Sequence, residues 1–171
     1  MLTLPSPLHP AIVHFPIVLI LIGTAAAVAA VFIRRWHLPL MAALLLSLGA
    51  AGAIAATWSG GEEEEMLGEL SPQAEEILDE HEEWGERTRN LALITAVLAC
   101  TVISVSRFPV ASRALSIVTA LLAIVAAYAV AETGHYGGQL VYKHGAGINT
   151  AAGAAARPES TVKPSDKDDD D

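Results

Sequence analysis

The chain reads as an all-α integral membrane protein, a four-helix transmembrane bundle, and two observations predict it. Of its 171 residues 53% are hydrophobic and only 17% are charged, a shift away from the soluble average toward a lipid-facing composition. The apolar residues are also gathered into four runs, residues 11–33, 38–58, 91–106 and 110–131. A helix needs about 20 such residues to cross a hydrocarbon core of about 30 Å. The third run is short and is completed by the segment before it, which puts the third span at residues 88–106. Because the runs are continuous rather than alternating, transmembrane β-strands are excluded.

The first run opens on HPAIVHFP. Pro10 suits the first turn of a helix, His9 lies just ahead of it, and His14 falls one turn inside. No basic residue precedes the run, and it is too long for a signal-peptide core, so an uncleaved first helix is expected. Pro16 cannot donate its backbone hydrogen bond, which lipid tolerates only where neighbouring groups compensate. His14 is therefore expected to face the bundle; the alternative is an interfacial histidine bonded to a loop carbonyl. In the second run Ser47, Ala51 and Ala55, with Gly49, Gly52 and Ala56 beside them, repeat at helical spacing and predict close contact with a neighbour rather than ligands. Trp36 and Trp58 end that run as belt residues.

Residues 59–87 form a long acidic segment, from Glu62 to Glu86. Within it Ser71 and Pro72 mark a helix start, and the helix is predicted to run unbroken from Pro72 into the third span. Ile77, His81, Trp84 and Thr88 share one face by their spacing, with Gly85 leaving room for a flat group. The plainer alternative is a solvated acidic helix whose inner face happens to carry His81. After the fourth span comes a closing segment, residues 132–148, reading ETGHYGGQLVYKHGAGI. There Glu132 and His135 are three apart, so the carboxylate is placed to orient the imidazole. Gly134, Gly137 and Gly138 allow close approach or a helix break, or tight packing alone. His144 follows, with Tyr136 and Tyr142 as interface anchors. Residues 151–171 have nothing to bury and are expected to be a disordered acidic tail.

Charge sets the orientation. The two short inter-span loops hold Arg34, Arg35, Arg107 and Arg113 and no acid, so they are expected on the cytoplasmic side of a bacterial inner membrane, with both termini periplasmic. The formal net charge of −9 argues against a nucleic-acid partner. Cys100 is the single cysteine, which excludes a disulfide framework and a covalent Cys-x-x-Cys-His haem site. With no nucleophile-and-base pair and no phosphate-cradling loop, an enzyme is not expected.

Five of the six histidines, His9, His14, His81, His135 and His144, thus fall on one side of the membrane, and His37 on the other. Imidazoles gathered at one end of a helix bundle are how proteins hold haem or a metal ion. The segments HPAIVHFP, EHEEWG and GHYGGQLVYKHGAGI, and the chain from His9 to Ile148, resemble the bacterial membrane family known as domain of unknown function 2231. That resemblance implies a four-helix membrane protein, and the cytochrome c or Rieske-type modules found with some members imply redox work.

The sequence expectation is a membrane electron-transfer protein with a non-covalent haem b near the periplasmic face. Its ligands are sought first in His14 and His135, then His81, then His144 and His9. Glu132, Trp84, Gly85, Gly137 and Gly138 are expected around them, and a periplasmic redox protein as partner. The alternatives are a copper or zinc site built from the same histidines and Glu132, and a cofactor-free scaffold subunit. The orientation has a direct check. A reporter active only in the cytoplasm should work when inserted between Arg35 and Leu38 and fail after Asp171; the reverse pattern would move the five histidines inward.

Overall fold

The structure is a computed structural model that describes residues 8–147 apart from Arg34, Trp36 and Met66. The belt position expected of Trp36, the loop position of Arg34 and the tail at residues 151–171 lie outside the described residues. Five helices make up the rest: α1 (His9–Ile12), α2 (His14–Phe32), α3 (His37–Glu64), α4 (Pro72–Ser104) and α5 (Pro109–His144). Packing of α2 on α3, α3 on α4, α4 on α5, and α5 back on α2 closes a ring of four. The short α1 lies over α3 and α2.

Among the described residues three segments are long and apolar enough to cross a membrane, namely α1 with α2, α3, and α5. The fourth member of the ring, α4, is acidic in its first half and apolar in its second. Ser71 starts it as the sequence suggests, its hydroxyl accepting the Ala74 N–H at 3.3 Å with Pro72 in the first turn, a standard helix cap. The helix then runs 33 residues without a break. At 1.5 Å per residue, α3, α4 and α5 measure roughly 40–55 Å against a hydrocarbon core of about 30 Å. Since the arginine-bearing turns lie at one end of all three, the surplus length projects at the other, the acidic end.

Small side chains hold the bundle together. Its core includes Ala26, Ala27, Ala42, Ala43, Ala50, Ala92, Ala96, Ala99, Ala123 and Ala126, with Ile20 and Leu46 as the large members. Glycines set the α2–α3 distance: a Cβ on Gly49 would fall 2.9 Å from Ile20 Cγ1 and 3.2 Å from the Ile20 nitrogen, and one on Gly52 would fall 3.1 Å from Pro16 Cδ. The small-residue stripe predicted for the second span is thus a contact face, though Ser47 and Ala51 turn instead to a groove of about 440 Å³ between α3 and α4 that is open to lipid. Among the described residues the buried hydroxyls are all engaged. Thr24 donates to Ile20 and Ala123 carbonyls, the latter joining α2 to α5, and Thr95 and Thr119 bond back to Leu91 and Leu115.

The first and last elements differ in detail from the sequence expectation. A turn at Val13 separates α1 from α2, and His14 is exposed rather than facing the bundle. The closing glycines do not break α5, which continues to His144 and stops at Gly145 with φ 67°, a left-handed cap that glycine adopts at little cost. Gly49→Val should lower stability by about 1–3 kcal/mol through overpacking against the Ile20 backbone. Gly61→Ala, which meets nothing within 4 Å, should not; reversible unfolding in mixed micelles checks both.

Candidate functional site

Two histidines meet at the acidic end, and they are His9 and His81. Their ring centres are 6.3 Å apart with planes at 88°. Neither touches the other's helix by chance, because each imidazole is fastened to a third helix in the same way. His9 Nδ1 lies 2.9 Å from the Ala56 carbonyl of α3, and His81 Nδ1 lies 2.9 Å from the Thr133 carbonyl of α5. A carbonyl only accepts, so Nδ1 carries the proton in both rings and the Nε2 lone pair faces no donor among the described residues. This is the tautomer a metal-binding histidine needs, with the second nitrogen held by a carbonyl.

The two contacts share a local rule. A helix residue four places on from a carbonyl shadows it, and in both cases that residue is glycine. Gly60 follows Ala56, and a Cβ there would fall 3.2 Å from His9 Cε1; Gly137 follows Thr133, and a Cβ there would fall 2.9 Å from His81 Cε1. The imidazole lies where the missing side chain would be. Around this pair, Ser59 Oγ sits 3.1 Å from His9 Nδ1 and donates to the Ala56 carbonyl, while Glu63 Oε1 accepts the His9 backbone N–H at 2.6 Å. Thr88 and Thr133 hydroxyls bond at 3.0 Å and tie α4 to α5 one level below.

Electrostatics separates the groups. Burial pushes the His81 imidazole below the usual histidine range, the Thr133 carbonyl opposing this and the nearby His9 adding to it. His81 is therefore neutral at physiological pH with its lone pair available. Next to it, burial together with the hydrogen bond and charge of Glu64 raises the Glu82 carboxyl to about 7, with Asp79 and Glu86 contributing. Glu64, the last residue of α3, thus faces the first half of α4 at Glu82.

The other expected site residues lie apart from this pair. His14 is exposed and its Nδ1–H donates to the Pro10 carbonyl of α1. His135 is also exposed, and the Gln139 amide donates to its Nε2 at 2.9 Å, so Gln139 rather than Glu132 engages this ring. Glu132 lies beside the Tyr128 hydroxyl. Trp84 packs edge-on against Tyr128 at 5.9 Å under the Arg87 guanidinium. Gly85 is 4.0 Å from Thr133 through its would-be Cβ, Gly138 meets nothing, and His144 ends α5. Ser59, Gly60, Glu63 and Thr133 were not singled out by sequence. The spacing of Ala56 to Gly60 and of Thr133 to Gly137 was the available signal.

Taken together, the molecule is an all-helical membrane protein whose four-helix ring carries a paired-histidine centre at its acidic end. The chain belongs to the family described as predicted membrane protein, DUF2231, which it matches over residues 5–150. No curated protein and no solved structure matches it.

Gly137→Ala should displace the His81 ring and break its bond to Thr133, whereas Gly134→Ala, in open space, should not. Nitrogen-15 NMR of labelled histidine checks this. One Nδ1–H resonance should be lost in the first variant and none in the second.

Proposed function

We propose that the protein is a membrane electron-transfer protein whose His9–His81 pair binds the iron of a non-covalent haem b. The observation that carries this reading is the matched state of the two rings, each with Nδ1–H given to a helix carbonyl and Nε2 left as a donor pair. Two imidazoles sharing one ion through Nε2 hold their ring centres about 6 Å apart, given metal–nitrogen bonds of about 2 Å, and these stand at 6.3 Å. The size of the donor set favours haem over a bare ion. Zinc or copper asks for three or four protein ligands, and the described residues offer no group of three. Haem brings four nitrogens of its own and needs only one or two from the chain.

When bound, haem supplies a one-electron couple. The chain's residues do the rest. His9 and His81 would hold the iron, the Ala56 and Thr133 carbonyls fix their tautomer and raise their basicity, and burial keeps His81 uncharged. The acidic residues of α4 and the end of α3 surround this end, so a basic redox carrier is the partner their field would attract. With the arginine turns cytoplasmic, that partner is periplasmic.

A dithionite-reduced minus oxidised spectrum of protein made with ample haem should show a Soret band and a reduced α band. His9→Ala and His81→Ala should each convert a six-coordinate spectrum to five-coordinate or remove the haem. His14→Ala, His135→Ala and His37→Ala should leave it unchanged. A wild-type protein without a Soret band would eliminate the reading.

A further inference from the structure

The two imidazoles are carried by very different pieces of chain. His81 stands within an unbroken helix of 33 residues, with Gly137 of α5 against its ring. His9 opens α1, a helix of four residues none of which is buried. The junction behind it is weak. Val13 interrupts the helix, and Pro16, lacking an N–H, leaves the Ile12 carbonyl without its helical partner. The Pro10 carbonyl is taken by the His14 ring at 2.5 Å, a side-chain bond at a place where helices use backbone. Against this, α1 is fastened at its first residue by polar contacts to α3: His9 N–H to Glu63 Oε1 at 2.6 Å, and His9 Nδ1 to Ala56 O at 2.9 Å with Ser59 Oγ at 3.1 Å.

We propose that α1 is a strap, hinged at Val13–Pro16 and latched by Glu63, which lifts His9 away from the site while His81 stays in place. Of the two described segments that carry the imidazoles, α1 has no buried residue and can move without unpacking the bundle, whereas α4 is part of the ring. Resting on the haem reading, the strap makes the His9 side an exchangeable coordination position. A small neutral ligand of ferrous iron, such as carbon monoxide, takes it by replacing the His9 nitrogen, with no electron or proton transferred. His81 remains the permanent ligand.

Hydrogen exchange of haem-free protein in nanodiscs tests the strap without the cofactor. Local opening sets the exchange of the α1 amides, so Glu63→Ala, which removes a hydrogen bond to a charged group, should speed exchange over residues 9–13 by about tenfold. Glu63→Gln, which keeps an acceptor, should fall between. Glu76→Ala, which removes an exposed charge from α4, should change nothing. Equal exchange in wild type and both Glu63 variants would overturn the strap. In reduced, haem-loaded protein, the rate of carbon monoxide binding should level off as its concentration rises, with a plateau about tenfold higher in Glu63→Ala. A rate that stays linear and is the same in both proteins would overturn the exchangeable position. Faster exchange in a protein that shows no Soret band would support the strap and remove the haem.

Discussion

Close approach of helix backbones is the constraint from which the other features of this molecule follow. In lipid, burying apolar side chains against one another gains little over leaving them in hydrocarbon, so helices associate through van der Waals fit and interhelical polar contacts. Alanine and glycine at the contact faces allow that fit, as where Gly49 admits Ile20 and Gly23 admits Leu46. The same closeness lets a side chain on one helix reach a main-chain carbonyl on another, as Thr24 reaches Ala123. The His9 and His81 bonds are further cases of that kind. The site is thus an extension of the packing rule to the wet end of the bundle, with imidazole in the role that threonine fills below.

Where the surplus length of α3, α4 and α5 projects decides what chemistry the end can support. Within the hydrocarbon the threonine hydroxyls are taken by helix carbonyls, Thr95 and Thr119 by their own helices and Thr24 also by α5, and leave nothing for a ligand. Above it the helices carry titratable groups, of which His9, Glu63 and His81 are half-buried. His81 is buried enough to stay neutral, and the neighbouring Glu82 carboxyl is raised to about 7 by desolvation and by Glu64 beside it. Partial burial of this kind is characteristic of groups placed for binding or proton exchange rather than for solubility.

The architecture was legible in the sequence because it is governed by composition and by run length, both local. Ser71 and Pro72 announced α4, and the stripe through Ile77, His81 and Trp84 placed His81 on the packed face. The pairing of His9 with His81 was not legible. Arguments from depth favoured His14, and spacing to Glu132 favoured His135, but each rates a residue by its own helix. His14 instead turned outward once Val13 interrupted the helix, and Gln139 took the His135 ring. What selects His9 and His81 is the glycine four places after a carbonyl on another helix. One sequence displays those glycines without saying which histidine each one faces.

The carbonyls and imidazoles of the centre are scattered along the chain, with His9 in α1, Ala56 in α3, His81 in α4 and Thr133 in α5. His9 is synthesised first and Thr133 last. While α5 is still in the ribosome, His81 lacks the acceptor that fixes its tautomer and the helix against which its ring rests. The centre is therefore completed only after synthesis has passed the fourth span, and any group it holds must be loaded into a finished bundle. A chain ending before Thr133 would lack the carbonyl that holds His81 and so the paired-histidine centre.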